Sequence, residues 1–346
     1  MSLIKVAKVF TMVLCFGELL LRLAPDATSE WLSTNKLNAY PSGSEINIAT
    51  ALAKWKVPVS YCTTLPENFL STQLVKKIKE YNVDTSTIIY SGNKIGLYYL
   101  FADTSVRHGE IIYDKTHSSF SELKPGMIDW DNAFNGIRWF HFSAVSAALS
   151  KNVAAVCEEV FPICSKKNIT VSVDLTYRPE LWKYGKKPNE VMPDLLQHCD
   201  IIIGDIWSAE AMLDIKVPES LHGISTKENY VLQAKNVSEQ IMQRFSKCKI
   251  AVNTFQLHKK GLEYFGTVFT NNNLFVSASY KTDSVVDKAG SDDCFIAGLI
   301  YGVYNHLPFQ QVINFAAAAA FQKLFIAGDF TNKTSEEVKS FMQHYT

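Results

Sequence analysis

Short apolar runs alternate along the chain with longer segments whose apolar positions recur at helical spacing. VSYCTTL (59–65) reads as a strand, and the runs IRWFHFS (137–143), ITVSVDL (169–175), DIIIG (200–204) and KIAVNTF (249–255) are nearly apolar throughout. Strands covered on both faces of a parallel sheet need that pattern, so these runs predict buried parallel strands. Between them, helical spacing predicts helices over 44–56, 68–83, 150–160, 228–247, 295–306 and 309–326. In the first, Ser44 is read as the N-cap, with Ile46, Ala49, Leu52 and Ala53 on one face. Near the amino terminus, VLCFGELLLRL reads as a buried strand leading into an alternating one. Lysines before this run imitate a secretory leader, but Glu18 interrupts it and no small-residue cleavage site follows.

Regular strand–helix alternation predicts an α/β fold with a doubly wound, mostly parallel sheet flanked by helices. Two segments break the rhythm, about 18–40 and 93–121, where LLLRLAP, IGLYYLFA and GEIIYDK lack intervening helices. They predict a small β-sheet lid over the carboxyl ends of the parallel strands, where ligands bind in such sheets. No Pro/Ser-rich linker divides the chain, so residues 1–346 are read as one domain with that lid.

Composition narrows the function. Lys+Arg and Asp+Glu balance at 34 each, so no bulk field favours nucleic acid or membrane. Seven cysteines lack CxxC or metal-ligand spacing, which suits free thiols in the cytoplasm. There is no GxGxxG after the first strand, no GxxxxGK[ST] and no HExxH. Four stretches instead gather chemistry at strand ends or lid edges: PSGSEINIA (41–49), IIYDKTHSS (111–119), DLTYRPELW (174–182) and DKAGSDDCFIAG (287–298).

With VLCFGELLLRLAP, IGLYYLF, TTLPENFLSTQLVKKIKEYNVDTS and IAGDFTNKTSEEV, these stretches make the chain resemble the ribokinase-like (PfkB) sugar kinases. Within them it is most similar to the 2-keto-3-deoxygluconate kinases. The resemblance implies ATP and Mg²⁺ dependent phosphorylation of a sugar-acid hydroxyl, with Asp293 as the base. It implies an anion hole from the backbone of Gly290, Ser291, Asp292 and Asp293 at a helix start. Arg178 would grip the substrate carboxylate, and Gly43, Asn47, Tyr98, Tyr113 and Lys115 would line the sugar site. Asp205, Thr254 and Gln256 fall on the nucleotide side, while no metal ligand is assigned. Partners implied are a small sugar acid, a nucleotide and a second copy through the lid.

Departures from the family pattern cluster on the nucleotide side. Asp292 replaces a glycine of the phosphate turn, Asp205 and Ser208 replace an Asn-x-x-Glu pair, Gln256 replaces an arginine, and Lys115 replaces an arginine of the lid. If position 292 were left-handed, Asp would cost on the order of 1–2 kcal/mol over Gly. A carboxylate about 4 Å from the transferring phosphate would oppose it by roughly 4 kcal/mol at an effective dielectric of ~20. Asp292 could equally ligate Mg²⁺ or be a helix-start acid favoured by the dipole. Two further readings therefore stand beside the keto-acid kinase: a catalytically impaired relative that binds and regulates through a sugar acid or nucleotide, and a kinase for a neutral sugar or nucleoside.

Overall fold

The computed structural model describes residues 12–25, 31, 35–100, 111–221, 225–259 and 261–344. The amino-terminal lysines Lys5 and Lys8, and the lid stretches 26–30, 32–34 and 101–110, lie outside the described residues.

A nine-stranded sheet forms the centre. Across it run Val59–Cys62, Met12–Phe16, Ile137–Ser143, Thr170–Asp174, Ile201–Gly204 and Ile250–Lys259, all mutually parallel. Each predicted parallel strand is therefore present. Their apolar runs divide between two cores because side chains alternate faces. Leu14 and Phe16 enter the core on one face, and Val13 and Cys15 the core on the other. Helices Lys151–Lys167 and Lys227–Arg244 cover the first face; Ser44–Lys54, Ser291–Tyr304 and Phe309–Lys323 cover the second. The fold is α/β, a mostly parallel sheet with helices on both faces, as the strand–helix alternation predicts.

Three strands at one edge were not read from the sequence. Gly261–Thr270 returns antiparallel to Ile250–Lys259 and pairs in turn with Asn273–Val276 and Tyr280–Thr282. A second, four-stranded sheet contains Asn38–Ser42, Leu20–Ala24, Gly96–Leu100 and Ile111–Asp114 in that order. Three of its strands fall in the segments read as the lid; the fourth runs two residues past that boundary, to Ser42. No helix among the described residues is long and apolar enough to cross a membrane.

Candidate active site

Asp174 ends its strand, Gly204 ends the next, and Thr254 lies within the one beyond, so the carboxyl ends of the parallel strands open onto one cleft. Asp174, Thr176, Arg178, Asp205, Thr254 and Asp292 line it. This is where a doubly wound sheet binds ligands.

Helix Ser291–Tyr304 starts beside the cleft, with Gly290 as its N-cap in a left-handed backbone (φ 77°). A Cβ on Gly290 would sit 2.0 Å from the Asp329 carbonyl oxygen, so only glycine fits this turn. The cradle expected here would use N–H groups of the helix start that lack intrahelical partners; that of Ser291 already donates to the Lys288 carbonyl (3.1 Å). The Ser291 hydroxyl donates to the Ala320 carbonyl (3.0 Å), which pins the turn to helix Phe309–Lys323.

Asp293 follows in the first turn. Its carboxylate accepts from the Ser44 hydroxyl and from Asn47 Nδ2 at 2.6 Å. Burial raises its pKa to about 7, against the pull of those two donors, with Asp174 and Asp292 adding like charge. Ser44 is thus not the N-cap the sequence suggested. That place belongs to Gly43, whose φ of 140° and close approach to the Glu18 carbonyl exclude a side chain. One residue further on, Ser44 is free to bond the Asp293 carboxylate.

Asp292 occupies helical backbone and is absent from the left-handed residues, so the strain expected for this substitution does not arise. Its Oδ1 accepts from Gln256 Nε2 (2.7 Å) and from the Tyr264 hydroxyl (3.2 Å). Gln256 and Tyr264 are direct antiparallel partners, which puts both side chains on one face. Two departures from the family pattern, Asp292 and Gln256, therefore meet in one hydrogen bond.

Asp205 N-caps helix Ile206–Leu213, with its oxygens taken up by the backbone N–H of Ser208 (2.7 Å) and its hydroxyl (2.9 Å). Burial raises its pKa, and Asp292 adds to the rise. Arg178 lies near Tyr113, Asp292 and Asp174; burial alone would lower its pKa, and these neighbours reverse the shift to a net rise. Lys115 is buried, 3.3 Å from Glu18, and lies over the Tyr113 ring. The Tyr98 hydroxyl bonds Asp329 (3.0 Å) and Ser42 (3.1 Å). Lys115 and Tyr98 are thus engaged within the protein; Arg178 lines the cleft while its Nη1 donates to the Tyr177 carbonyl (3.1 Å).

The sequence reading quoted Asp174 but gave it no role. It is buried, one oxygen accepts from the Thr176 N–H (3.0 Å), and the other has no partner. Burial raises its pKa to about 7. Glu45, likewise raised by burial to about 7, accepts from the Ser143 hydroxyl. A carboxylate ending an apolar strand was the available signal for Asp174; nothing local marked Glu45.

A glycine-only turn, a helix N-terminus and a fixed carboxylate at a cleft suit group transfer to a hydroxyl. A profile of the pfkB family carbohydrate kinases matches residues 11–328. The chain belongs to this family. The solved 2-dehydro-3-deoxygluconokinase of Thermotoga maritima is 30% identical, with TM-score 0.88, covering 96% of this chain and 99% of that one. The 2-dehydro-3-deoxygalactonokinase of Haloferax volcanii is 21% identical, covering 95% of each chain. A Xylella fastidiosa fructokinase solved with bound ATP shares the fold at 19% identity and TM-score 0.76, covering 96% of this chain and 98% of its own.

The family's phosphate donor suits the residues present. Gly290 lets the turn sit against the Asp329 backbone, and the adjoining helix start would offer N–H donors to phosphate oxygens. Among the described residues no group of three or more His, Cys, Asp or Glu side chains is arranged to hold a metal alone. Mg²⁺ usually retains waters and is held by one or two carboxylates together with substrate phosphates, and Asp205 and Asp292 both line the cleft.

Proposed function

We propose that this sugar kinase phosphorylates a 2-keto-3-deoxy sugar acid, 2-keto-3-deoxygluconate first among them, with ATP as donor. The observation that carries this reading is the Asp293 carboxylate, fixed by Ser44 and Asn47 at the start of the cradle helix. The acceptor hydroxyl gives its proton to Asp293 while its oxygen bonds to the γ-phosphorus. The bond from that phosphorus to the bridging oxygen breaks, and ADP leaves. A pKa of about 7 keeps Asp293 available as a base near neutral pH. Cradle N–H groups stabilise charge on the transferring phosphoryl. Arg178 meets the acid's carboxylate as a planar fork, and Gly43, Asn47 and Tyr113 shape the sugar site. Asp292 and Asp205, which line the cleft together with Asp174, would hold Mg²⁺, which would neutralise phosphate charge when bound. The four-stranded sheet would act as a lid and as a surface for pairing two copies.

A coupled ADP-release assay comparing 2-keto-3-deoxygluconate, its galacto epimer and fructose tests this reading. Release with either keto acid at least about tenfold faster than with fructose is expected, since an unpaired Arg178 loses a charge-assisted contact. Faster turnover of fructose would refute the acid assignment.

One observation favours a second reading, an impaired kinase that binds its ligands without efficient turnover. Asp205 spends both oxygens on its own helix, and Ser208 brings no carboxylate there. Calorimetric binding of ATP and keto acid without ADP release would establish that alternative.

A further inference from the structure

Beneath the phosphate cradle lies a buried charge cluster that the proposed chemistry does not use. Arg22, on strand Leu20–Ala24 of the smaller sheet, is 1% exposed. Its Nε donates to Asp329 Oδ1 at 2.7 Å and its Nη2 to Asp287 Oδ2 at 2.6 Å, while its guanidinium lies 4.4 Å from the Tyr40 ring centre. Lys323 is fully buried, and its ammonium donates to the carbonyls of Ile326 (2.9 Å) and Asp287 (3.4 Å).

The two aspartates hold backbone as well as cations. Asp287 accepts from the N–H groups of Ala289 (3.0 Å) and Gly328 (2.9 Å), one in the segment leading into the cradle and one in the loop beneath it. The Asp329 carbonyl is the group that presses on Gly290. Its carboxylate also collects the hydroxyls of Ser42 and Tyr98, so three strands of the smaller sheet reach this one residue.

Four desolvated charges are a poor means of stabilising a core, since apolar packing of equal volume does as well or better. Directional bonds are what such a cluster adds. Arg22 spans both aspartates with its fork, which a point charge cannot do. Lys323 draws together two carbonyls from the same pair of segments.

We propose that Arg22 and Lys323 are positioning residues, which with Asp287 and Asp329 set the shape of the Gly290–Asp293 cradle and tie it to the smaller sheet. The catalytic consequence rests on the cradle being the phosphate site, as proposed above. Displacing a transition-state contact by about 1 Å costs on the order of 10²-fold in rate.

Arg22→Lys keeps the charge and removes the fork. The expected result is kcat lower by about 10- to 100-fold, with KM for ATP and acceptor within about threefold, because the loss falls on the transition state. Hydrogen exchange followed by mass spectrometry should show faster exchange at 287–294 and 326–329, with protection kept in the parallel strands. Ser42→Ala, which removes one small donor to Asp329, should move both readouts the same way by a few-fold and decides the matter if Arg22→Lys fails to fold. Unchanged kcat and unchanged exchange in a folded variant would overturn the proposal. So would protection lost evenly over the whole chain, the mark of a merely structural role. If the wild-type protein turns over no acceptor, the kinase reading fails by itself, and local exchange at the cradle still decides this one.

Discussion

Asp293 and Asp292 are neighbours in sequence, and their partners separate them. Asp293 is fixed by Ser44 and Asn47 and has its pKa raised to about 7 by burial. As the proposed base, Asp293 must be deprotonated to act, so kcat/KM should rise with pH with a slope near one and level off above about 7. Asp293→Asn should cut kcat by about 10²- to 10⁴-fold in the coupled assay, with the rising limb lost. Asp292, exposed and held by Gln256 and Tyr264, has its charge partly screened by water. At water's dielectric its opposition to a phosphate about 4 Å away is about 1 kcal/mol rather than the roughly 4 kcal/mol of a drier site. Asp292→Asn removes the charge and can keep both hydrogen bonds through its carbonyl oxygen. Turnover of this variant should be about fivefold higher. A drop would mean that the carboxylate itself serves the site, with Mg²⁺ as the obvious occupant.

Helix Ile206–Leu213 begins at the cleft because Asp205 caps it, so stability and cleft geometry share one side chain. Asp205→Ala should cost about 1 kcal/mol in urea unfolding, while Asp205→Asn should cost much less, since Asn caps nearly as well. Equal losses in both variants would point to the charge rather than the cap. Elements of this kind were legible in the sequence to different degrees. The parallel strands stood out because burial on both faces leaves apolar runs. Gly261–Thr270 did not, because glycines at 261 and 266 and mixed neighbours blur both periodicities. Helix Pro188–Leu196 is short, with Pro188 opening it and Pro193 inside, which hides it from a spacing argument. At the site, Gly290 and Arg178 were legible through local motifs and family resemblance. Arg22 and Asp329 are 307 residues apart, so no local window shows them to be partners. Asp292 and Gln256 each looked like damage when read singly; only the strand register makes them a pair.

Across the whole molecule, buried titratable groups oppose one another in their effect on stability. His141 lies in a central strand, bonded through Nδ1 to the Ser172 hydroxyl (2.8 Å), and burial pushes its pKa down to about 3. A depressed folded pKa favours the native state above the unfolded value, so this contribution is lost as pH falls from about 6.5 towards 3. Glu45, Asp174 and Asp293 behave oppositely, since burial raises each to about 7. Their contribution is complete below the unfolded carboxylate range near 4 and is lost as pH rises through about 7. Melting temperature should therefore peak in mildly acid solution and fall on either side. Glu45 isolates the alkaline limb, because glutamine can still accept from Ser143 without ionising. With the Glu45 pKa moving from 4.5 to about 7 on folding, Glu45→Gln should gain on the order of 2 kcal/mol more at pH 8 than at pH 5. Urea unfolding of both proteins at the two pH values measures this difference directly. Parallel stability curves would show that Glu45 stays ionised in the folded protein, with Lys115, the cation already acting on it, as the group holding its charge.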